Sequence, residues 1–223
     1  IGAYAFSGTP LASAQLPDSI RTVGEGVFAS CSLLQEVRLP HGLAEIGASA
    51  FENCDSLAEI ELPASLQYLG ASAFANCDLL RSVALPGGIG TVGDCAFYDC
   101  ASLESVVIGE GITHIGSEAF AVCGSLRSVA LPSTLKRIES EAFANSGDAN
   151  YFSVTIPASV TYIGARAFWQ SWLSEAVFAQ PQGWAAEDLW GESTLISTVD
   201  LSDAQTAARL LHTDLAEQIW QRG

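Results

Sequence analysis

The chain is poor in positive charge. Its 223 residues include 9 Lys and Arg against 25 Asp and Glu, Lys136 is its one lysine, and the formal net charge is −16. Nucleic acid and anionic membrane both need a basic footprint, so the composition argues against either as a partner. The sequence has no run of about 18 apolar residues, which excludes a membrane-spanning helix of the usual kind. It has no signal peptide and no starting Met. It opens at Ile1 and Gly2, in the middle of a repeating pattern. The expectation is that upstream residues were removed, together with any export signal or lipid anchor. Catalytic motifs are missing too: there is no G-x-S-x-G, H-E-x-x-H, C-x-x-C or Walker sequence, and no D-x-D-x-D-G calcium loop. His41, His114 and His212 are scattered, and their spacings do not suit a metal site. The expectation is a non-enzyme without metal or cofactor.

What is present is a period. Phenylalanine recurs at Phe6, Phe28, Phe51, Phe74, Phe97, Phe120, Phe143 and Phe168, at spacings of 22, 23, 23, 23, 23, 23 and 25 residues. A unit this short cannot bury its own apolar edge. In the copy that starts at Pro40 that edge is Leu43, Ile46, Ala50, Phe51, Cys54, Leu57, Ile60 and Leu62. It finds cover only against the next copy, which is the physics of a solenoid.

Each part of the unit has a physical reading. Residues 57–62 (LAEIEL) alternate apolar and polar in their second half, the mark of a strand with one buried face. Pro63 ends it because proline has no N–H for a ladder, and Pro17, Pro40, Pro86, Pro132 and Pro157 hold the same place, with Gly109 substituting once. A second extended piece leads to Tyr68, Leu69 and Gly70, where the glycine suits a turn with positive φ. Ala73, Phe74 and Cys77 follow at the spacing of one short helical turn.

The string LPASLQYLGASAFANCDLLRSVAL and its copies resemble the BspA-like, or Treponema pallidum type, leucine-rich-repeat family, whose pattern is similar to LPxSLxxIGxxAFxxCxxLxxVxLP. The match runs over residues 1–178. Departures are local: Gly109 for Pro, Glu139 for the turn Gly, and Ser146 and Ser171 for the Cys. The resemblance implies a right-handed α/β solenoid of about eight 23-residue coils, with a concave parallel β-sheet and short helical turns on the convex side. It also implies a non-enzymatic bacterial surface or secreted interaction module, often host- or gut-associated, with adhesion or binding of a host protein or glycan as its expected role. The alternative is a structural spacer within a longer surface protein. A monomer without a membrane span is expected.

Cys31, Cys54, Cys77, Cys100 and Cys123 are each 23 residues apart and stack at one corner. They read as small buried hydrophobes in a reduced ladder. Cys95 is out of phase and reads as an unpaired thiol on the outer side. The segment 143–156 is two residues longer than its counterparts, with Tyr151 expected in the place of the repeat Leu and the extra residues in a bulged loop at 147–150.

Residues 1–178 are therefore expected to form the solenoid and 179–223 a C-terminal cap, since terminal coils need a lid over their apolar end. The cap reads as a turn at 180–183, a short strand at 198–201, and a helix over 203–220. Ser202 is its expected N-cap with Gln205 reaching back, and Ala207, Leu210, Leu211, Leu215 and Ile219 make one apolar stripe. Trp169, Trp172, Trp184, Trp190 and Trp220 all lie in this quarter. They suit either the core of the cap or an aromatic binding surface centred on Trp184 and Trp190.

The outward positions of the concave strands are the main candidate site. They are Glu36 and Arg38, Glu59 and Glu61, Ser82 and Ala84, Ser105 and Val107, Ser128 and Ala130, and Ser153 and Thr155, a charged pair of strands beside a small, nearly neutral platform. One row per coil leaves the same face at strand spacing.

Overall fold

A computed structural model describes residues 1–148, 152–187, 193–195 and 201–222. The chain winds as a right-handed solenoid whose coils stack phenylalanine on phenylalanine. Ring centroids of successive rungs lie 5.1 to 5.5 Å apart, with interplanar angles of 3° to 12°. Phe28, Phe51, Phe74, Phe97, Phe120, Phe143 and Phe168 are buried, and Phe6 at the first rung is 39% exposed.

Two parallel ladders flank the core. The concave one comprises β1 (Ser13–Gln15), β3 (Glu36–Arg38), β6 (Ser82–Leu85), β8 (Ser105–Ile108), β10 (Ser128–Ala130), β12 (Phe152–Ile156) and β14 (Leu173–Phe178). The other consists of two-residue strands: β2 (Thr22–Val23), β4 (Glu45–Ile46), β5 (Tyr68–Leu69), β7 (Thr91–Val92), β9 (His114–Ile115), β11 (Arg137–Ile138) and β13 (Tyr162–Ile163). Neither ladder is continuous: the two-residue strands divide between β5 and β7, and the concave ladder divides after β3. β1 pairs with β3, and β6 to β14 form a five-stranded sheet, but residues 57–62 belong to neither, so the strand expected there is not formed.

The convex arc turns by successive i to i−3 hydrogen bonds, such as Glu52 N to Ser49 O at 3.1 Å and Cys54 N to Phe51 O at 3.3 Å. These tight turns stand where short helical turns were expected. Each arc is closed by two left-handed residues, as at Ser49 and Asn53, Ser72 and Asn76, Cys95 and Asp99, and Glu118 and Val122. Alternate amides then leave the coil and donate to the next one: Ser49 N to Ala71 O, Phe51 N to Ala73 O and Asn53 N to Ala75 O, at 2.8 to 2.9 Å. The repeat glycine, by contrast, does not take a positive φ. A Cβ on Gly70 would meet Ala48 N at 2.4 Å, so glycine is needed there because successive backbones touch. Glu139 fills the same place in one coil, and nothing in the structure explains how its Cβ is accommodated.

The cysteines are free thiols, and five are buried. The thiols of Cys54, Cys77, Cys100 and Cys123 each donate to the carbonyl of the Phe one coil back at 3.2 Å. Ser146 makes the same bond to Phe120 O at 2.6 Å, which is why serine substitutes there. In the lengthened coil the inner site is filled by Phe152, buried and tilted against Phe143 at 6.4 Å. Tyr151 lies outside the described residues.

The cap differs from the expected single helix. The helix is Ala204–Arg209, and its N-cap is Asp203, not Ser202: the Asp203 side chain accepts from Thr206 N at 2.7 Å, the N3 amide that a cap residue at that position reaches. Beyond Arg209 the chain widens into a π-turn over Leu210–Asp214 and then forms β17 (Ile219–Arg222). β17 runs antiparallel between β13 and β15 (Trp184–Glu187), and β15 pairs with β16 (Ser193–Leu195). A strand is favoured over a further helical turn because β13 would otherwise present an unpaired edge. Trp220 on β17 is buried and stacks on Phe178 at 6.2 Å. The expected strand at 198–201 lies largely outside the described residues.

Candidate functional site

From β6 to β12 the five-stranded sheet sets its outward side chains in straight rows, because these parallel strands pair position for position, and the register shifts only at Phe152 and Ser153 against β14. Ser82 faces Ser105, Ser105 faces Ser128, and Ser128 faces Ser153. Ala84, Val107 and Ala130 form the adjoining row. Val107 is 54% exposed, and Ser153 and Thr155 on β12 also face solvent. The inward residues between them, Val83, Val106, Val129 and Val154, are buried, so each strand is held by the core while its other face is free. A groove of about 520 Å³ lies across Ser128, Ala130, Ser153 and Thr155, bounded by Glu110 and Ser133. The Glu110 carboxylate accepts from Ser133 N at 3.0 Å and Ser133 Oγ at 2.9 Å, and these bonds hold its pKa below the ordinary value. Neither residue stood out in the sequence, although Gly109 in place of the repeat proline marked that corner.

The charged strands form a separate region. Glu36 and Arg38 on β3 pair with each other along their own strand at 2.7 Å, both well exposed. Glu59 and Glu61 are exposed on the unladdered segment 57–62. A second groove of about 490 Å³ runs here, with Leu16, Val37, Leu39 and Ile60 beneath it. The residues expected to make one platform are thus divided between two surfaces.

The alternative aromatic site is corrected by burial. Trp184 is 1% exposed, with Nε1 donating to Gln180 O at 3.0 Å and its ring edge-on to Phe178, so it is core and offers no face to a ligand. Trp190 lies outside the described residues. Among the described residues the exposed tryptophan is Trp172, at 60%. It follows Ser171 at the solvent-facing corner that Asp55 and Asp78 hold after Cys54 and Cys77, a signal that was present in the repeat phase. Among the described residues no group of three or more His, Cys, Asp or Glu is arranged to hold a metal ion, and no helix is long and apolar enough to cross a membrane.

A stacked-coil core, a parallel concave sheet and tight convex arcs define a leucine-rich-repeat solenoid. The profile of the BspA type leucine rich repeat region matches six copies over residues 1–123 and 68–185, and the chain belongs to that family. Among solved structures it is similar to a leucine-rich-repeat protein of T. pallidum, at 31% identity and a TM-score of 0.61, covering 76% of this chain and 68% of that one. It is similar to a leucine-rich cell surface protein of Faecalibacterium prausnitzii, at 27% identity and a TM-score of 0.69, over 83% and 54% of the two chains. A leucine-rich-repeat protein of Eubacterium ventriosum aligns at 26% identity with a TM-score of 0.66, over 73% and 44%. The chain thus spans about half the length of the last two. No match is found among curated proteins. Repeat scaffolds of this class generally serve as binding surfaces rather than catalysts.

Proposed function

We propose that this chain is a non-enzymatic interaction module of a bacterial cell-surface or secreted protein, whose concave face takes a host protein or glycan. The observation that carries this is the row Ser82, Ser105, Ser128 and Ser153, beside Ala84, Val107 and Ala130. It is a solvent-facing surface on rigid strands, with hydroxyls that can give and accept hydrogen bonds and small apolar groups that let a partner approach closely. The similarity to the Faecalibacterium cell surface protein supports the location. A matrix-protein and glycan array probed with the purified chain tests the reading. Binding should be lost on Ser105→Arg with Ser128→Arg, which fill the platform while the melting curve is retained. Binding that is unaffected by both moves the contact off the concave face, and an array without any hit favours the spacer role.

A further inference from the structure

The concave surface is open at one place. Segment 58–62 joins neither β3 nor β6, although Ala58 O still accepts from Arg81 N at 3.2 Å where the segment begins. The inward valines of the flanking coils are closed off, Val37 at 6% and Val83 at 4% exposure, while their counterpart Ile60, with Leu39 and Leu62 beside it, is only partly buried. The cause lies in the outward side chains. Glu59 follows Glu36 by one repeat and so falls beside it, and like charges directly opposite on adjacent strands destabilise the pairing. Arg38, one repeat before Glu61, is turned back to Glu36 at 2.7 Å. No counter-cation is left for Glu59 or Glu61 among the described residues. The result is a groove with partly buried core side chains, Leu39 and Ile60, as its floor and Asp18, Glu36, Glu59 and Glu61 around it, against Arg38, which is tied to Glu36, and His41 on the same rim.

We infer that this groove docks an extended segment of a partner protein in which Lys or Arg side chains flank an apolar one. This rests on the concave-face reading and names the partner chemistry for its acidic end. The apolar side chain covers Ile60 and Leu39. The cations sit between Glu36, Glu59 and Glu61 and remove the repulsion that keeps the ladder apart. Segment 58–62 then pairs with β3 and β6, and the two concave sheets become one. An anionic segment is repelled both by the groove and by the net charge of −16. A neutral glycan has no means of closing the ladder.

The test uses fluorescence anisotropy with a labelled synthetic peptide of alternating Lys and Val, a Glu-for-Lys counterpart, and hydrogen exchange of the full chain. The Lys peptide should bind and slow exchange at residues 58–62, more weakly as salt rises, and the Glu peptide should not bind. Glu59→Gln with Glu61→Gln should weaken binding at least tenfold and slow exchange at 58–62 without any peptide. Glu52→Gln with Glu118→Gln, an equal charge change on the convex arc, should leave binding within twofold. Equal losses from the two pairs would reduce the attraction to bulk charge and overturn the proposal, as would peptide binding without protection at 58–62. A glycan or neutral protein that is lost on Ser105→Arg with Ser128→Arg, in a chain that ignores the Lys peptide, would sink this inference and keep the concave-face reading.

Discussion

Replacing Phe97 by Ala tests whether the ring column couples the coils. Phe97 is buried and lies 5.3 Å from both Phe74 and Phe120, at interplanar angles of 8° and 5°. Truncating a buried Phe to Ala costs about 3–5 kcal/mol, including the cavity left behind. Each stacked pair accounts for about 0.5–1.5 kcal/mol beyond its buried area. In a solenoid that loss falls on the two interfaces that join one coil to its neighbours, and it is comparable with the whole stability of an ordinary domain, about 5–15 kcal/mol. The two halves should then unfold apart. All five tryptophans lie from Trp169 onward, so intrinsic fluorescence reports the C-terminal end, whereas far-UV circular dichroism reports every coil. In a urea titration the two signals should coincide for the parent chain and separate for Phe97→Ala. Phe6→Ala, at a half-exposed rung with one stacked neighbour, should cost only about 1–2 kcal/mol and leave them coincident. Coincident transitions in Phe97→Ala, with a midpoint shift worth less than about 1 kcal/mol, would show that coupling resides elsewhere.

Two further outcomes follow from backbone strain and from buried thiols. Val122 is β-branched and held at φ 63°, where its counterparts are Asn53, Asn76, Asp99 and Asn145. The left-handed region costs about 1–2 kcal/mol for such a residue, so Val122→Asn should stabilise by about 1 kcal/mol and raise Tm by about 2–4 °C; an unchanged or lower Tm in calorimetry would refute the strain. Burial pushes the thiols of Cys54 and Cys100 from 9.0 up to about 12. The folded chain therefore keeps protons that the unfolded chain releases, so this stability is intact below about pH 9 and is lost as pH rises toward 12, at about 1.4 kcal/mol per pH unit per thiol. Urea midpoints at pH 8 and pH 10 should differ accordingly, and less so after Cys54→Ser with Cys100→Ser; a flat profile would count against buried, protonated thiols.

The repeated features were legible because the stack averages over copies. The Phe column, the cysteine corner and the inward strand valines each recur often enough for periodicity alone to assign their burial. What was not legible depends on relations between coils. Residues 57–62 have a good strand pattern, and the lapse of the ladder there turns on what the neighbouring coil sets beside them, Glu36 beside Glu59. The repeat glycine looked like a turn residue, but its reason is the approach of Ala48 in the preceding coil. The left-handed positions carry Ser, Asn, Asp, Glu, Gln, Arg, Tyr, Cys and Val, so composition does not mark them. In the cap, where no repeat averages the signal, Ser202 and Asp203 both fit an N-cap, and the apolar stripe suited a longer helix than the one formed.

The shape of the cap follows from the polarity of the arcs. Because Ser49, Phe51 and Asn53 donate to the next coil, and Ala48, Ala50 and Glu52 accept from the one before, every convex arc points its free N–H groups toward the C-terminal end. The last arc, around Arg166 and Gln170, therefore needs acceptors as well as apolar cover. A regular helix through residues 210–220 would have given its carbonyls to its own amides. The π-turn and the bend into β17 release some of them: Arg166 N donates to Ala216 O, and Gln170 N donates to His212 O at 3.3 Å. The same bend brings Glu217 to Arg166 at 2.7 Å and lays Trp220 over Phe178. The helix stops early because the end of the solenoid uses those carbonyls, and the short helical stretch that remains is the part packed against β14.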